Sequence, residues 1–191
     1  MHEGSLQRMA EFVELLNPET KLSILDVGSA DVNGTYRHLF ECPNWSYSGL
    51  DLAAGKNVDL VAKGPYDWNL TRQYDVVISG QCLEHVEDVK RWGESVRDAV
   101  RNDGIVCVIA PWACNFHRYP IDCWRVMPDG MKWLLSQVVH FEVKQVFLAG
   151  EEVGDCVGVA HGRPMREELV KTRIPVRMTV PGKWVCSVHS A

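Results

Sequence analysis

Three aspartates stand at or just beyond the ends of apolar runs. Asp26 closes LSILDV, Asp31 follows the short turn GSA at 28–30, and Asp51 closes YSGLD. A carboxylate at the mouth of a buried strand is costly unless a cation or several hydrogen-bond donors come to meet it. The two oxygens of Asp51 suit the vicinal hydroxyls of a ribose, through the stronger, charge-assisted kind of hydrogen bond. Asp26 and Asp31, on either side of Gly28, suit a ligand with a positively charged tail, held by Coulomb attraction in a partly desolvated cleft. A second group of reactive side chains lies in NFHRYPIDCWR, residues 115–125. His117 is the first candidate for a general base, since imidazole is the side chain suited to exchanging protons at physiological pH, with Asp122 as the partner that orients it. Tyr119, Trp124 and Arg125 offer contacts to a polar substrate from the same stretch. The plainer alternatives are that Asp31 caps a following helix, and that His117 and Asp122 only pin the loop through Arg118 or Arg125.

Both groups need a frame to hold them. The runs at 22–27, 75–79 and 105–110 are continuously apolar, as strands covered on both faces of a parallel sheet are. Residues 46–51 and 58–61 predict two further strands. Residues 140–148 and 156–160 predict a closing pair, separated by a turn-like stretch at 150–155. Helices are expected at 5–16, where Leu6, Met9, Val13 and Leu16 share a face and Asn17-Pro18 ends the pattern. Others are expected at 34–41, at 88–101 with Val89, Trp92, Val96 and Ala99 facing inward before Asn102-Asp103-Gly104, and at 128–138. Alternating strands and helices predict a doubly wound α/β sheet with helices on both faces. Ligands of such a sheet bind beyond the carboxyl ends of its strands, at the switch in strand order. Those ends carry Asp26-Val27-Gly28, Asp51-Leu52, Ser79-Gly80-Gln81 and Ala110-Pro111-Trp112.

At 191 residues, with 46% hydrophobic and 24% charged side chains, the chain fits one ordinary globular domain. A net charge of −5 lacks the basic excess that nucleic acid demands, which argues against a DNA or RNA partner. No apolar stretch is long enough to span a bilayer. The start, MHEGSLQRMAEF, places Glu3 and Glu11 where a signal peptide needs a basic flank and an apolar core. Seven cysteines, odd in number and without a CxxC pair, are expected to be reduced thiols of a cytoplasmic protein.

The turn after the first strand separates two classes of nucleoside ligand. A dinucleotide site wants GxGxxG, because a pyrophosphate lies against bare backbone at a helix N-terminus. Residues 28–33 read GSADVN: only the first glycine is present, and Asp31 would repel a diphosphate. S-adenosylmethionine has the opposite pattern, with a cationic sulfonium and ammonium and no phosphate. The ordered segments DVGSADVNG, YSGLDLAAGKNVDLV, PYDW, YDVVISGQCLEHVED and IAPWACNFHRYPIDCWRVMPDGMKWLL together resemble a class I S-adenosylmethionine-dependent methyltransferase. The resemblance covers roughly residues 20–160 and is to the bacterial type 11 methyltransferase-domain group. Many members of that group accompany glycan or natural-product biosynthesis genes.

The resemblance implies a mostly parallel seven-stranded sheet with an antiparallel last strand, and S-adenosylmethionine as cofactor. It implies that Gly28, Ser29 and Asp31, with Asp26 beside them, meet the methionine part. Asp51 and Leu52 would hold the ribose and flank the adenine, Asp67 and Trp68 would sit at the adenine edge, and Gly80 and Gln81 would line the floor near the sulfonium. Ala30 departs from the pattern, standing where a glycine is common. Metal-dependent relatives, the ubiquinone-type O-methyltransferases and small-RNA 3′-end methyltransferases, hold a divalent cation with a Glu-x-x-Glu-His run and a later histidine. Glu84 and His85 match that run and His117 can match the histidine, but Gln81 replaces the first glutamate. Losing an anionic ligand weakens a hard-cation site, so no metal is assigned.

These readings predict one methyltransferase domain over 1–162, opening with a helix within 1–17. Residues 163–191 form an extension, read as a lid or as an arm that joins two copies in a homodimer. The expected activity is methyl transfer to a small-molecule substrate, most simply O-methylation of a saccharide or natural-product intermediate. RNA methylation is disfavoured by the charge balance, and a nicotinamide oxidoreductase by GSADVN. N- and S-methylation stay open because such nucleophiles need no base. A non-catalytic cofactor- or partner-binding module would be expected to have lost its ribose carboxylate, and Asp51 is intact.

Overall fold

The computed structural model describes residues 3–150 and 153–179. Helix α1 (Glu3–Val13) leads into strands β1 (Leu22–Val27), β2 (Trp45–Asp51), β3 (Leu60–Val61) and β4 (Tyr74–Gly80). Helix α2 (Val89–Ala99), strand β5 (Val100–Ala113) and helix α3 (Pro128–Trp133) follow, and then strands β6 (Glu142–Ala149), β7 (Gly154–His161) and β8 (Arg177–Thr179). Among the described residues they build one eight-stranded sheet in the order β3-β2-β1-β4-β5-β7-β6-β8. The first five in that order are parallel, β7 runs antiparallel between β5 and β6, and β8 lies parallel to β6. The doubly wound α/β sheet is thus present, with one strand more than the sequence predicted, contributed by the extension.

Why the sheet is covered on both faces is legible in β5. Ile105, Cys107 and Ile109 point to one side and Val106, Val108 and Ala110 to the other, all at most 1% exposed. The first set packs with Met9 and Phe12 of α1, with Tyr36 and Phe40, and with Leu169, Val170 and Ile174. The second set meets Trp92 and Val96 of α2 and Met131 of α3. Burying each of the larger of these side chains, such as Ile105 or Val106, contributes about 1.5–3 kcal/mol.

Three elements depart from expectation for local reasons. The helix expected at 34–41 is a single 3-10 turn, Arg37–Phe40. Gly34 at φ +116° before it and Pro43 after it leave no room for a longer helix. Helix α2 starts on Asp88, whose side chain accepts the Arg91 N–H at 3.0 Å, but it stops at Ala99 rather than 101. Val100 is already extended and pairs with Tyr74. The helix expected over 128–138 is α3 followed by a π-helical turn, Leu134–Val138.

The described part of the extension packs on its own sheet. Leu16 bridges Val170, Arg166 reaches the buried Asp75 at 2.9 Å, and the Arg177 guanidinium lies 3.6 Å from the centre of the Phe147 ring. Residues 180–191 lie outside the described residues.

Candidate active site

The chain runs outward from β1 to β3 and then returns to β4, so β1 and β4 part company at their carboxyl ends. A cleft of about 610 Å³ opens there. Gly28 and Gly80 form part of its wall, and both positions require glycine. Gly28 has φ +80°, and a Cβ on it would stand 2.6 Å from Cys82. A Cβ on Gly80 would stand 2.1 Å from the Tyr36 hydroxyl, which is itself buried and 2.5 Å from the Ser5 hydroxyl.

The three aspartates separate in space. Asp51 lines the cleft: its Oδ2 accepts the Ala30 N–H at 2.9 Å and its Oδ1 accepts the Leu52 N–H at 2.7 Å. Each oxygen keeps a lone pair for a further donor. Asp26 also lines the cleft but is only 2% exposed, and the Tyr47 hydroxyl donates to it. Burial, reinforced by the charge of Asp51 and partly offset by Tyr47, pushes the Asp26 carboxyl up to about 7. Asp31 is elsewhere. Its carboxylate pairs with Lys56 at 2.5 Å and accepts the Gly34 N–H at 2.9 Å, and these contacts hold it below the usual carboxylate range. The acidic mouth read from the sequence therefore reduces to one free carboxylate at Asp51 and a second, Asp26, that burial keeps partly neutral. Lys56, exposed and distant in sequence from Asp31, carries no signal that would have revealed the pairing.

The other residues expected around a cofactor divide likewise. Ser29, Leu52, Trp68 and Gln81 line the cleft. Asp67 does not: it is exposed and accepts the Asn69 N–H at 3.3 Å, while Pro65 and Tyr66 take the lining positions. Gln81, at φ +58°, turns its amide to Asp155 at 2.8 Å and to Ser5 at 3.3 Å.

The opposite end of the cleft is built by two segments. One is the 3-10 turn Leu83–His85 after β4 and the other is the loop after β5. The loop is tied down by Cys123 N–H to the Glu84 carbonyl at 2.7 Å and Trp124 Nε1 to the Val86 carbonyl at 2.6 Å. His117, Tyr119 and Ile121 reach the cleft from it. Trp124 and Arg125 do not; they line a neighbouring groove with Met127 and Trp133. Asp122 is bound by Arg125 at 2.5 and 2.9 Å and accepts the His117 backbone N–H at 2.8 Å. The Arg125 hydrogen bond holds the Asp122 carboxyl far below its usual range. Its oxygen stays 3.6 Å from His117 Nδ1, so Asp122 fixes the loop and the histidine backbone rather than bonding the ring directly.

Glu84 is the side chain whose place the sequence did not reveal. It is 0% exposed, and both of its oxygens accept no hydrogen bond. Burial pushes its carboxyl up to about 7. His85 Nε2 lies 3.7 Å and His117 Nε2 4.0 Å from its Oε1. The LEH run drew attention to Glu84, but nothing in a run of letters tells a helix cap from a buried carboxylate.

No family model and no curated protein matches the chain, so the narrower type 11 grouping rests on the motifs alone. Solved structures do match. The 1,6-didemethyltoxoflavin-N1-methyltransferase of Burkholderia thailandensis, with 1,6-didemethyltoxoflavin and S-adenosylhomocysteine bound, superposes with a TM-score of 0.64 at 13% identity. The match covers 84% of this chain and 79% of that one. The fold is that of the class I S-adenosylmethionine-dependent methyltransferases. The N-terminal domain of EvdMO1, solved in the presence of S-adenosylhomocysteine and D-fucose, matches with a TM-score of 0.58 at 18% identity, over 85% of this chain and 84% of that one. The [4+2]-cyclase SpnF matches with a TM-score of 0.62 at 12% identity, over 83% and 81%. A methyltransferase fold can therefore carry other chemistry, and activity has to be argued from the cleft.

Proposed function

We propose that the protein is an S-adenosylmethionine-dependent methyltransferase that methylates a hydroxyl of a small polar acceptor, a saccharide or natural-product intermediate. The observation that carries this reading is Asp51. It is locked by two backbone N–H groups at the carboxyl end of β2 and faces a cleft whose glycine turn lacks the phosphate-binding glycines. The residues fit the cofactor. Gly28 and Gly80 expose bare backbone along the wall, Asp51 offers acceptors to the ribose hydroxyls, and Leu52 and Trp68 offer apolar surface to the adenine. Asp26 sits beside them, where a cationic amino-acid tail would favour its ionised form. Bound there, S-adenosylmethionine supplies an electrophilic methyl group on sulfur.

The chain's own work is to position the acceptor and to remove its proton. A hydroxyl attacks well only as its proton leaves. Glu84, His85 and His117 form the group of proton-accepting side chains at the acceptor end, with His117 as its exposed member. Tyr119 and Ile121 line that end. The D-fucose in the EvdMO1 structure supports a saccharide as the acceptor class.

Calorimetry with S-adenosylhomocysteine is expected to show one site on the wild type and none on Asp51→Ala. No binding to the wild type overturns the cofactor reading. A screen of sugars and hydroxylated metabolites by mass spectrometry is expected to find one that gains a methyl group. Methylation only at nitrogen or sulfur would overturn the hydroxyl assignment.

A further inference from the structure

The acceptor end of the cleft holds three side chains whose arrangement no hydrogen bond explains. Glu84 has both oxygens buried and unbonded. His85 sets its Nδ1 2.5 Å from the Ile121 carbonyl, and His117 sets its Nδ1 3.1 Å from the Asn115 carbonyl. A carbonyl oxygen only accepts, so each Nδ1 carries a hydrogen, which leaves the Nε2 of each ring as the atom that can ligate. Both Nε2 atoms face Glu84 Oε1, at 3.7 and 4.0 Å. The rings meet edge to face with their centres 5.1 Å apart. Two ring nitrogens and a buried carboxyl thus converge with no hydrogen bond among them. A metal ion would satisfy all three at once. An imidazole whose Nδ1–H is held by a backbone carbonyl is also the usual posture of a metal-binding histidine.

We propose that Glu84, His85 and His117 bind one divalent transition-metal ion at the acceptor end of the cleft. The three ligand atoms already lie within 4.8 Å of one another. Sharing an ion at about 2.1 Å needs them roughly 3–3.4 Å apart, so His85 and Glu84 must close by a few tenths of an ångström and the exposed His117 must swing in somewhat further. Two imidazole nitrogens and one carboxylate oxygen favour manganese, iron, cobalt or zinc over magnesium or calcium, which prefer all-oxygen sites. Gln81, turned away toward Asp155, takes no part. Its replacement of a glutamate removes a hard ligand but leaves this nitrogen-rich set whole. Three protein ligands leave coordination positions open toward the cleft. Resting on the methyl-transfer reading, those positions would take two neighbouring oxygens of the acceptor, such as a vicinal diol, and acidify the one that attacks. His117 then serves as a ligand rather than a free base, and the proton of the metal-acidified hydroxyl passes to bulk water as the oxygen takes the methyl group.

The test is titration of the metal-stripped full chain with Co²⁺, followed by visible absorption and calorimetry. One ion per chain is expected to bind with a dissociation constant in the micromolar range or below, giving weak ligand-field bands. His117→Ala, on an exposed loop that does not support the core, is expected to weaken binding at least 100-fold. Glu84→Gln is expected to do the same, with circular dichroism confirming its fold. The proposal is overturned if Co²⁺, Mn²⁺ and Zn²⁺ all fail to bind below about 1 mM. It is equally overturned if both variants bind as the wild type does, or if an intense thiolate charge-transfer band places the ion on Cys114 or another cysteine. S-adenosylhomocysteine titrated into the same samples separates the two readings. Cofactor binding without metal defeats this proposal alone, and metal binding without cofactor defeats the methyl-transfer reading alone.

Discussion

The two ends of the cleft are finished to different degrees. At the end under β1 and β2, Asp51 is held by two backbone N–H groups and Asp26 by Tyr47, so that side is set before any ligand arrives. At the end under β4 and β5, Glu84 is buried with no hydrogen-bond donor, and the Nε2 atoms of two imidazoles stand 3.7 and 4.0 Å from it. The satisfied end costs the fold little. The unsatisfied end is kept at the expense of stability, as groups that act on substrates often are. The two ends should therefore fail independently when altered.

The largest effect expected is on turnover. His117→Ala should lower kcat by about 10²–10⁴-fold while leaving S-adenosylhomocysteine affinity within about threefold; near-normal turnover would remove His117 from the chemistry. The next concerns pH. The folded-state Asp26 carboxyl, at about 7, lies above its ordinary value of 3.8, so the native state holds a proton that the unfolded chain releases between these values. The stability that Asp26 contributes should then be fully present below about pH 4, be lost as pH rises to about 7, and change little above it. Asp26→Asn should flatten that slope, gaining on the order of 2–4 kcal/mol over the wild type at pH 8 and nothing at pH 4, as read by urea unfolding at each pH. Equal slopes for both proteins would show that Asp26 is not desolvated.

Asp51→Asn should weaken S-adenosylhomocysteine binding by about 10–100-fold, the loss of one or two charge-assisted hydrogen bonds. Glu84→Gln should leave that affinity within about threefold. Matching losses in the two variants would mean that the ends act as one unit. The smallest effect is reserved for Asp31→Ala, which should change cofactor affinity by less than about threefold, because its carboxylate answers Lys56 outside the cleft. A tenfold loss there would restore the reading that sequence alone suggested.

The comparison of expectation with structure turns on where the signal is local. Strand β1 is found at the expected residues, and β4 and β5 contain the apolar runs that announced them, because continuous burial on both faces of a sheet imposes an apolar run on the chain itself. The 3-10 turn at 37–40 in place of a helix was also inscribed in Gly34 and Pro43, though periodicity outvoted them. Residues 163–179 carried no such mark. Their basic side chains read as an arm, yet Leu169, Val170 and Ile174 enter the core, and Arg166 answers Asp75, far away along the chain.

By itself the sequence determined the alternation of strands and helices, the turn after β1 with its single glycine, and the carboxylate at the end of β2. Each depends on neighbours within a few residues, so residue type and spacing suffice. Only the tertiary structure decided which carboxylates are free. Lys56 neutralises Asp31, Tyr47 and burial subdue Asp26, and two histidines from different segments converge on Glu84. Charge state and ligand geometry depend on desolvation and on partners brought together across the fold, and a linear chain does not record those distances.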